Sequence, residues 1–286
     1  MDDDQTDIRQ AVVAGMFYPA EKSELSKLIK RLYFEEKSHI KPEPVSGNII
    51  GGIVPHAGIE YCGRQAVHFF DSVRNNDLDP DTVIILHPNH HGAGPPLSVD
   101  DHHYWEVSNG KIKTDMEFAG EMNLPFSAIA QAKEHSAEVI VPYILHFLGG
   151  HPKLVSVNMV DQTFESAKKL AGIIEATIQR LNGRTLVIAS SDFSHFLPRS
   201  EANKMDNIVL DEITTRNAEG VYRCIKENFI SVCGYGPIMA LMAYSELLDP
   251  GYRIKILSRG DSGNIKGSAN VVSYVSAMFY TDQKLN

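Results

Sequence analysis

A chain of 286 residues, 43% hydrophobic and 22% charged, has enough apolar mass for one large α/β domain or two modest ones. Its 27 Lys and Arg against 36 Asp and Glu give a formal charge of −9, the wrong sign for a surface built on nucleic-acid phosphates or anionic lipid, so neither partner is expected. Cys62, Cys224 and Cys233 form no CxxC pair, the first five residues are acidic, and no apolar stretch approaches a membrane span; a reduced, cytoplasmic protein is expected.

In chain order, apolar residues at helical spacing predict a first helix over 21–34. A polar connector, 35–47, leads to a buried strand at 48–54. Short β-branched runs at 82–86, 153–159 and 185–189 predict three more buried strands. Helical spacing returns over 162–181, 199–216, 221–228 and 237–248. The runs 253–258 and 271–278 are expected to add antiparallel strands, at an edge or in the middle. Strands alternating with helices in this way build a largely parallel or mixed sheet flanked by helices. No linker, repeat or low-complexity block divides the chain, so one domain is expected. The stretch "RGDS", 259–262, reads as a turn, and neither a phosphate loop nor a GxGxxG fingerprint occurs.

In open parallel sheets, ligands bind beyond the carboxyl ends of the strands, where the loops converge. Three predicted strands end in chemically capable loops: "PHAGIEYCG" (55–63), "HPNHHG" (87–92) and "SSDFSHF" (190–196). Parallel strands would bring His56, His90 or His91, and Asp192 with His195 to one edge. A single histidine after a strand is more often a hydrogen-bonded loop residue than a ligand, and Asp192 could merely cap a helix. Three such loops together favour an active or metal site. Cys233, in "SVCGYGPI", precedes a helix start, where the dipole favours a thiolate suited to metal binding or nucleophilic attack. Cys224 inside a helical pattern and Cys62 read as small buried hydrophobes.

The motifs "AVVAGMFYPAEKSEL" (11–25), "VPHAGIEYCG" (54–63), "HPNHHGAGPPLSV" (87–99), "EHSAEVIVPYI" (134–144), "SSDFSHF" and "SVCGYGPI", in this order, resemble the Memo family. The resemblance runs from 8 to 280, leaving 1–7 and 281–286 as flexible termini. It implies a single α/β domain similar to class III extradiol dioxygenases, which open catechol rings with non-haem iron. It further implies iron or copper, with zinc as another candidate, bound by His56, His90 and Cys233. Asp192 and His195 would line the pocket as catalytic groups, with His91, His135 and Glu138 as its surrounding shell. Two features depart from the pattern. A thiolate stands where ring-opening dioxygenases use a carboxylate, and His87 replaces the glycine of the family's Gly-Pro-Asn-His, where it would narrow the pocket or add a nitrogen.

Three functional classes follow. The first is an iron- or copper-dependent oxidoreductase in which His195 moves a proton. The second is a metal-free hydrolase with Cys233 as nucleophile and His195 oriented by Asp192. The third is a non-catalytic scaffold holding a peptide or a metal. A small aromatic molecule or a peptide is the expected pocket partner, and the resemblance adds a radical-SAM pathway partner.

Overall fold

The apolar runs of the sequence pair into one sheet in the computed structural model, which describes residues 7–41, 45–76, 78–149 and 152–284. The first half of the chain comprises β1 (Ile8–Arg9), α1 (Lys22–Glu36), β2 (Ile49–Val54), α2 (Ile59–Asn75), β3 (Thr82–Pro88), β4 (Leu97–Val99), β5 (Tyr104–Val107), β6 (Gly110–Lys113), α3 (Met116–Glu121), α4 (Ala128–Gln131) and α5 (Val141–Phe147). The second half comprises β7 (Lys153–Met159), α6 (Phe164–Leu181), β8 (Thr185–Ser190), β9 (His195–Pro198), α7 (Arg199–Thr214), α8 (Ala218–Asn228), α9 (Tyr235–Leu248), β10 (Arg253–Asp261), α10 (Gly263–Lys266) and β11 (Asn270–Tyr280).

The main sheet runs β10-β11-β2-β8-β3-β7-β4, with β9 paired to β11. Its centre, β2-β8-β3-β7, is parallel, while β4, β9, β10 and β11 pair antiparallel. It is therefore a mixed sheet, and β11 lies inside it rather than at an edge. The central strands are buried on both faces, which explains their continuous apolar runs. Ile84, Leu86, Val187 and Ala189 face a core with Ala171, Ile174 and Leu241 from α6 and α9. Val83, Ile85, Leu186 and Ile188 face the opposite core, with Leu25, Phe69, Phe70 and Ile144 from α1, α2 and α5. Each such aliphatic side chain, fully buried, contributes about 1.5–3 kcal/mol. A small separate sheet, β1-β5-β6, packs at the side.

Some elements differ from expectation. Helix α2 takes up most of the expected "PHAGIEYCG" loop: only 55–58 are loop, and Ile59 begins a helix buried along much of its length. Arg259, Gly260 and Asp261 extend β10 against Val275, Tyr274 and Ser273, so "RGDS" is strand before it turns. In the connector 35–47, the first two residues belong to α1 and 42–44 lie outside the described residues. Of the termini expected to be flexible, 1–6 and 285–286 also lie outside them. The Asp7 carbonyl accepts from His103 N, and Thr281 is buried with its amide donating to Asn48 O at 2.9 Å. Among the described residues, no helix is long and apolar enough to cross a membrane.

Candidate metal centre

Because β2, β8 and β3 are parallel neighbours, their carboxyl ends deliver three loops to one edge. His56 follows β2, Asp192 follows β8, and His90 follows β3. Cys233 arrives from another direction, on the turn that opens α9. That turn lies directly on the end of β8: a Cβ on Gly234 would sit 2.2 Å from the Ser190 carbonyl oxygen, so only glycine fits. The Gly234 amide donates to Ser191 Oγ at 3.0 Å, and Cys233 and Asp192 exchange contacts, Cys233 N to Asp192 O at 3.3 Å and Asp192 N to Cys233 Sγ at 3.2 Å. One ligand-type atom each from His56, His90 and Cys233 lie within 4.8 Å of one another. Cys233 Sγ is 3.2 Å from His56 Nε2.

The side chains behind these three fix their directions. The buried Glu134 carboxylate accepts from His90 Nδ1 at 2.8 Å and from the His90 amide at 2.6 Å, which leaves His90 Nε2 for the site. Burial alone would raise the Glu134 carboxyl, but the hydrogen bonds from His90 and the charges of His87 and His90 together hold it well below the usual carboxylate range. His56 Nδ1 meets Ser190 Oγ at 2.7 Å, and burial together with the neighbouring His135 and His90 pushes its pKa well below 6.5. It is therefore neutral, as a metal ligand must be. The His135 ring lies 4.6 Å from that of His90 and 5.4 Å from that of His56, and burial lowers its pKa to about 4. Burial, then the Asp192 carboxylate, pushes the Cys233 thiol up.

A family model, described as Memo-like protein, matches residues 9–278. The chain belongs to the Memo family. A MEMO1 family protein of Desulfurococcus amylolyticus is 36% identical over 95% of this chain and 99% of its own. Another, of Methanocaldococcus jannaschii, is 36% identical over 95% of this chain and 98% of its own. The crystal structure of an uncharacterized protein from Escherichia coli K12 has the same fold, with a TM-score of 0.53 at 12% identity, over 81% of this chain and 99% of that one.

Against the Memo resemblance, the expected site residues divide into those at the strand edge and those elsewhere. His56, His90 and Cys233 come together, with the His135 ring beside them, tilted against that of His90 and edge-on to that of His56. Asp192 sits directly beneath, but its Oδ1 accepts from the amides of His56 and Ala57, at 2.8 and 3.3 Å; burial raises its pKa. His195 is half-buried on β9, with Nδ1 donating to the Ser231 carbonyl at 2.8 Å and Nε2 left over. His91 turns outward, donating from Nε2 to the Lys133 carbonyl at 2.9 Å.

Two assignments are corrected. His87 neither narrows the pocket nor offers a fourth nitrogen, since it lies within β3 and both ring nitrogens are used. Nδ1 meets Ser136 Oγ at 3.0 Å and Pro88 O at 3.1 Å, and Nε2 meets Ser156 Oγ at 3.0 Å and Gln131 Nε2 at 3.3 Å, so His87 stands behind the site through Ser136 rather than facing into it. Glu138 does not surround the site either. It pairs with buried Arg9 at 2.7 Å and accepts from the amides of Val12 and Val13 and from the Tyr18 hydroxyl, anchoring the N-terminal segment. The residues that do back the site are Glu134, Ser136 and Ser190, which sequence reasoning did not single out. Glu134 and Ser136 flank His135 in the quoted "EHSAE" stretch, and Ser190 opens "SSDFSHF", so position within the motifs was the available signal.

The donor set fits the metal that the Memo resemblance implies. A metal with bonds of about 2.0–2.3 Å to nitrogen and sulfur needs ligand atoms roughly 3–4 Å apart; Cys233 Sγ and His56 Nε2 are 3.2 Å apart, and all three ligand atoms lie within 4.8 Å of one another. Two imidazoles and a thiolate leave a coordination position open, and suit copper, zinc or iron rather than magnesium or calcium. A bound cation would also reverse the effect of burial on Cys233, since a coordinating thiol is deprotonated.

Proposed function

We propose that this Memo family protein holds an iron or copper ion through His56, His90 and Cys233 and acts as an oxidoreductase on a small aromatic substrate. The observation that carries this reading is the convergence of two oriented imidazoles and one thiol on a single point at the carboxyl edge of the sheet. A bound ion of this kind supplies Lewis-acid polarisation of a substrate oxygen and redox capacity. The remaining work falls to the chain. His195 Nε2 is the group placed to take a proton, because the Ser231 carbonyl commits Nδ1 as a donor. Asp192 is close enough for its charge to be felt by His195, and its bonds to the His56 and Ala57 amides hold the first loop in place. Val272, the strand partner of His195, lines with Tyr61, Phe196 and Tyr274 a cleft of about 400 Å³ whose aromatic wall suits a planar ring.

A metal-free thiol hydrolase is the weaker reading. Burial disfavours a Cys233 thiolate, the imidazole 3.2 Å from its sulfur is that of His56, and the His195 ring bonds to Ser231 rather than to Asp192, so the Cys233–His195–Asp192 relay is not assembled. The test is elemental analysis of anaerobically purified protein, followed by oxygen uptake with a panel of catechols. The expected result is about one iron or copper per chain and uptake that disappears in Cys233→Ser. Protein that neither carries nor takes up metal would overturn the proposal, and metal without turnover on any substrate would favour a binding scaffold.

A further inference from the structure

His56 can serve as a ligand through Nε2 only if its proton sits on Nδ1. The surrounding hydrogen bonds decide this. Ser190 Oγ lies 2.7 Å from the Ser136 carbonyl oxygen and 2.7 Å from His56 Nδ1. Two oxygens at that separation need a proton between them, and a carbonyl has none to give, so the Ser190 hydroxyl donates to Ser136. A hydroxyl has one proton. Having spent it on Ser136, Ser190 can only accept from the imidazole, which places a proton on Nδ1 and leaves Nε2 bare toward Cys233. The opposite tautomer would turn the Ser190 proton to Nδ1 and leave two oxygen lone pairs facing each other in a site where Ser136 and Ser190 are both fully buried.

We propose that Ser190 is the positioning residue that makes His56 a ligand, by relaying a fixed hydrogen-bond direction from the Ser136 carbonyl to Nδ1. The same short segment orients the second histidine. Glu134 accepts from His90 Nδ1, and the Ser136 hydroxyl donates to Glu134 at 2.8 Å. Both imidazoles are thus set from one tripeptide, 134–136, through a carboxylate for His90 and through a hydroxyl and a carbonyl for His56. Arg9 pins that tripeptide from behind, its guanidinium donating to the Glu134 carbonyl at 2.6 Å while it pairs with Glu138. Outer partners of this kind fix tautomer and ring orientation in histidine–metal sites, and losing one lowers metal affinity by roughly 10- to 100-fold.

The inference rests on the metal-site reading for its purpose but not for its test. Nitrogen-15 NMR of the histidines in metal-free protein reports the tautomer directly, and zinc ion alone, titrated against a chromophoric chelator, reports affinity. The parent should show His56 protonated at Nδ1. Ser190→Ala should shift it toward the Nε2-protonated form and weaken zinc binding roughly 10- to 100-fold, while Ser190→Thr, which keeps the hydroxyl, should restore both. An Nε2-protonated His56 in the parent, or a tautomer and affinity unchanged in Ser190→Ala, would overturn the assignment. If zinc fails to bind even the parent, the metal-site reading falls, and the tautomer comparison still decides the role of Ser190.

Discussion

Replacing His87 with leucine should make the protein less stable at neutral pH yet less sensitive to acid. In the folded chain His87 is fully buried, and burial lowers its pKa from 6.5 to about 4. The unfolded chain protonates the same ring near 6.5, so unfolding takes up a proton below that pH; the stability held by His87 is complete above 6.5 and is lost as pH falls toward 4. At 1.36 kcal/mol per pH unit, the loss reaches about 2 kcal/mol by about pH 5 and approaches about 3 kcal/mol at lower pH. Leucine removes the titration but strands partners, since Gln131 and Ser156 meet Nε2 and Pro88 O accepts from Nδ1. That costs roughly 1–3 kcal/mol at neutral pH. Urea unfolding of parent and His87→Leu at about pH 7, 6 and 5 measures both effects. The parent should lead at neutral pH, and its lead should shrink by about 2 kcal/mol by about pH 5. A gap that stays constant across this range would refute a buried neutral His87.

Glu138→Gln should destabilise the fold by about 3–5 kcal/mol in urea unfolding, because it leaves the buried Arg9 guanidinium without its counter-charge. An effect under about 1 kcal/mol would show that the pair is not the anchor described. Gly234→Ala must push the Cys233 turn away from the Ser190 carbonyl, and should weaken zinc binding roughly tenfold or more; an unchanged dissociation constant would refute the close-approach argument. His195→Ala should retain metal, measured by elemental analysis, while lowering any turnover by about 10²- to 10⁴-fold. Loss of metal in that variant would make His195 a ligand instead.

The parallel core was legible because its strands are buried on both faces and so spell unbroken apolar runs, as at 153–159, whose predicted bounds match β7. Helix α2 was not, since only four residues separate it from β2, with Gly58 at its N-cap and no side-chain cap to announce it. At the site, the histidines and the cysteine carry their chemistry in their identity; strand order brings His56 and His90 to one edge, and the turn that opens α9 adds Cys233. The residues behind them do not. Ser190 and Ser136 matter through the direction of a single proton, which spacing cannot encode, and Glu134 is one carboxylate among 36 acidic side chains. Glu138 was misplaced for a related reason: it lies three residues after His135, but its side chain pairs with Arg9 rather than with His56, His90 or Cys233. His87 was unreadable because its loop motif begins inside the buried strand.

The most direct test of the metal centre is X-ray absorption spectroscopy at the zinc edge on zinc-loaded protein, compared with Cys233→Ser. The parent should show one sulfur near about 2.3 Å and two imidazole nitrogens near about 2.0–2.1 Å, with the sulfur shell absent in the variant. A parent spectrum with no sulfur shell, or one unchanged by Cys233→Ser, would contradict a site built from His56, His90 and Cys233.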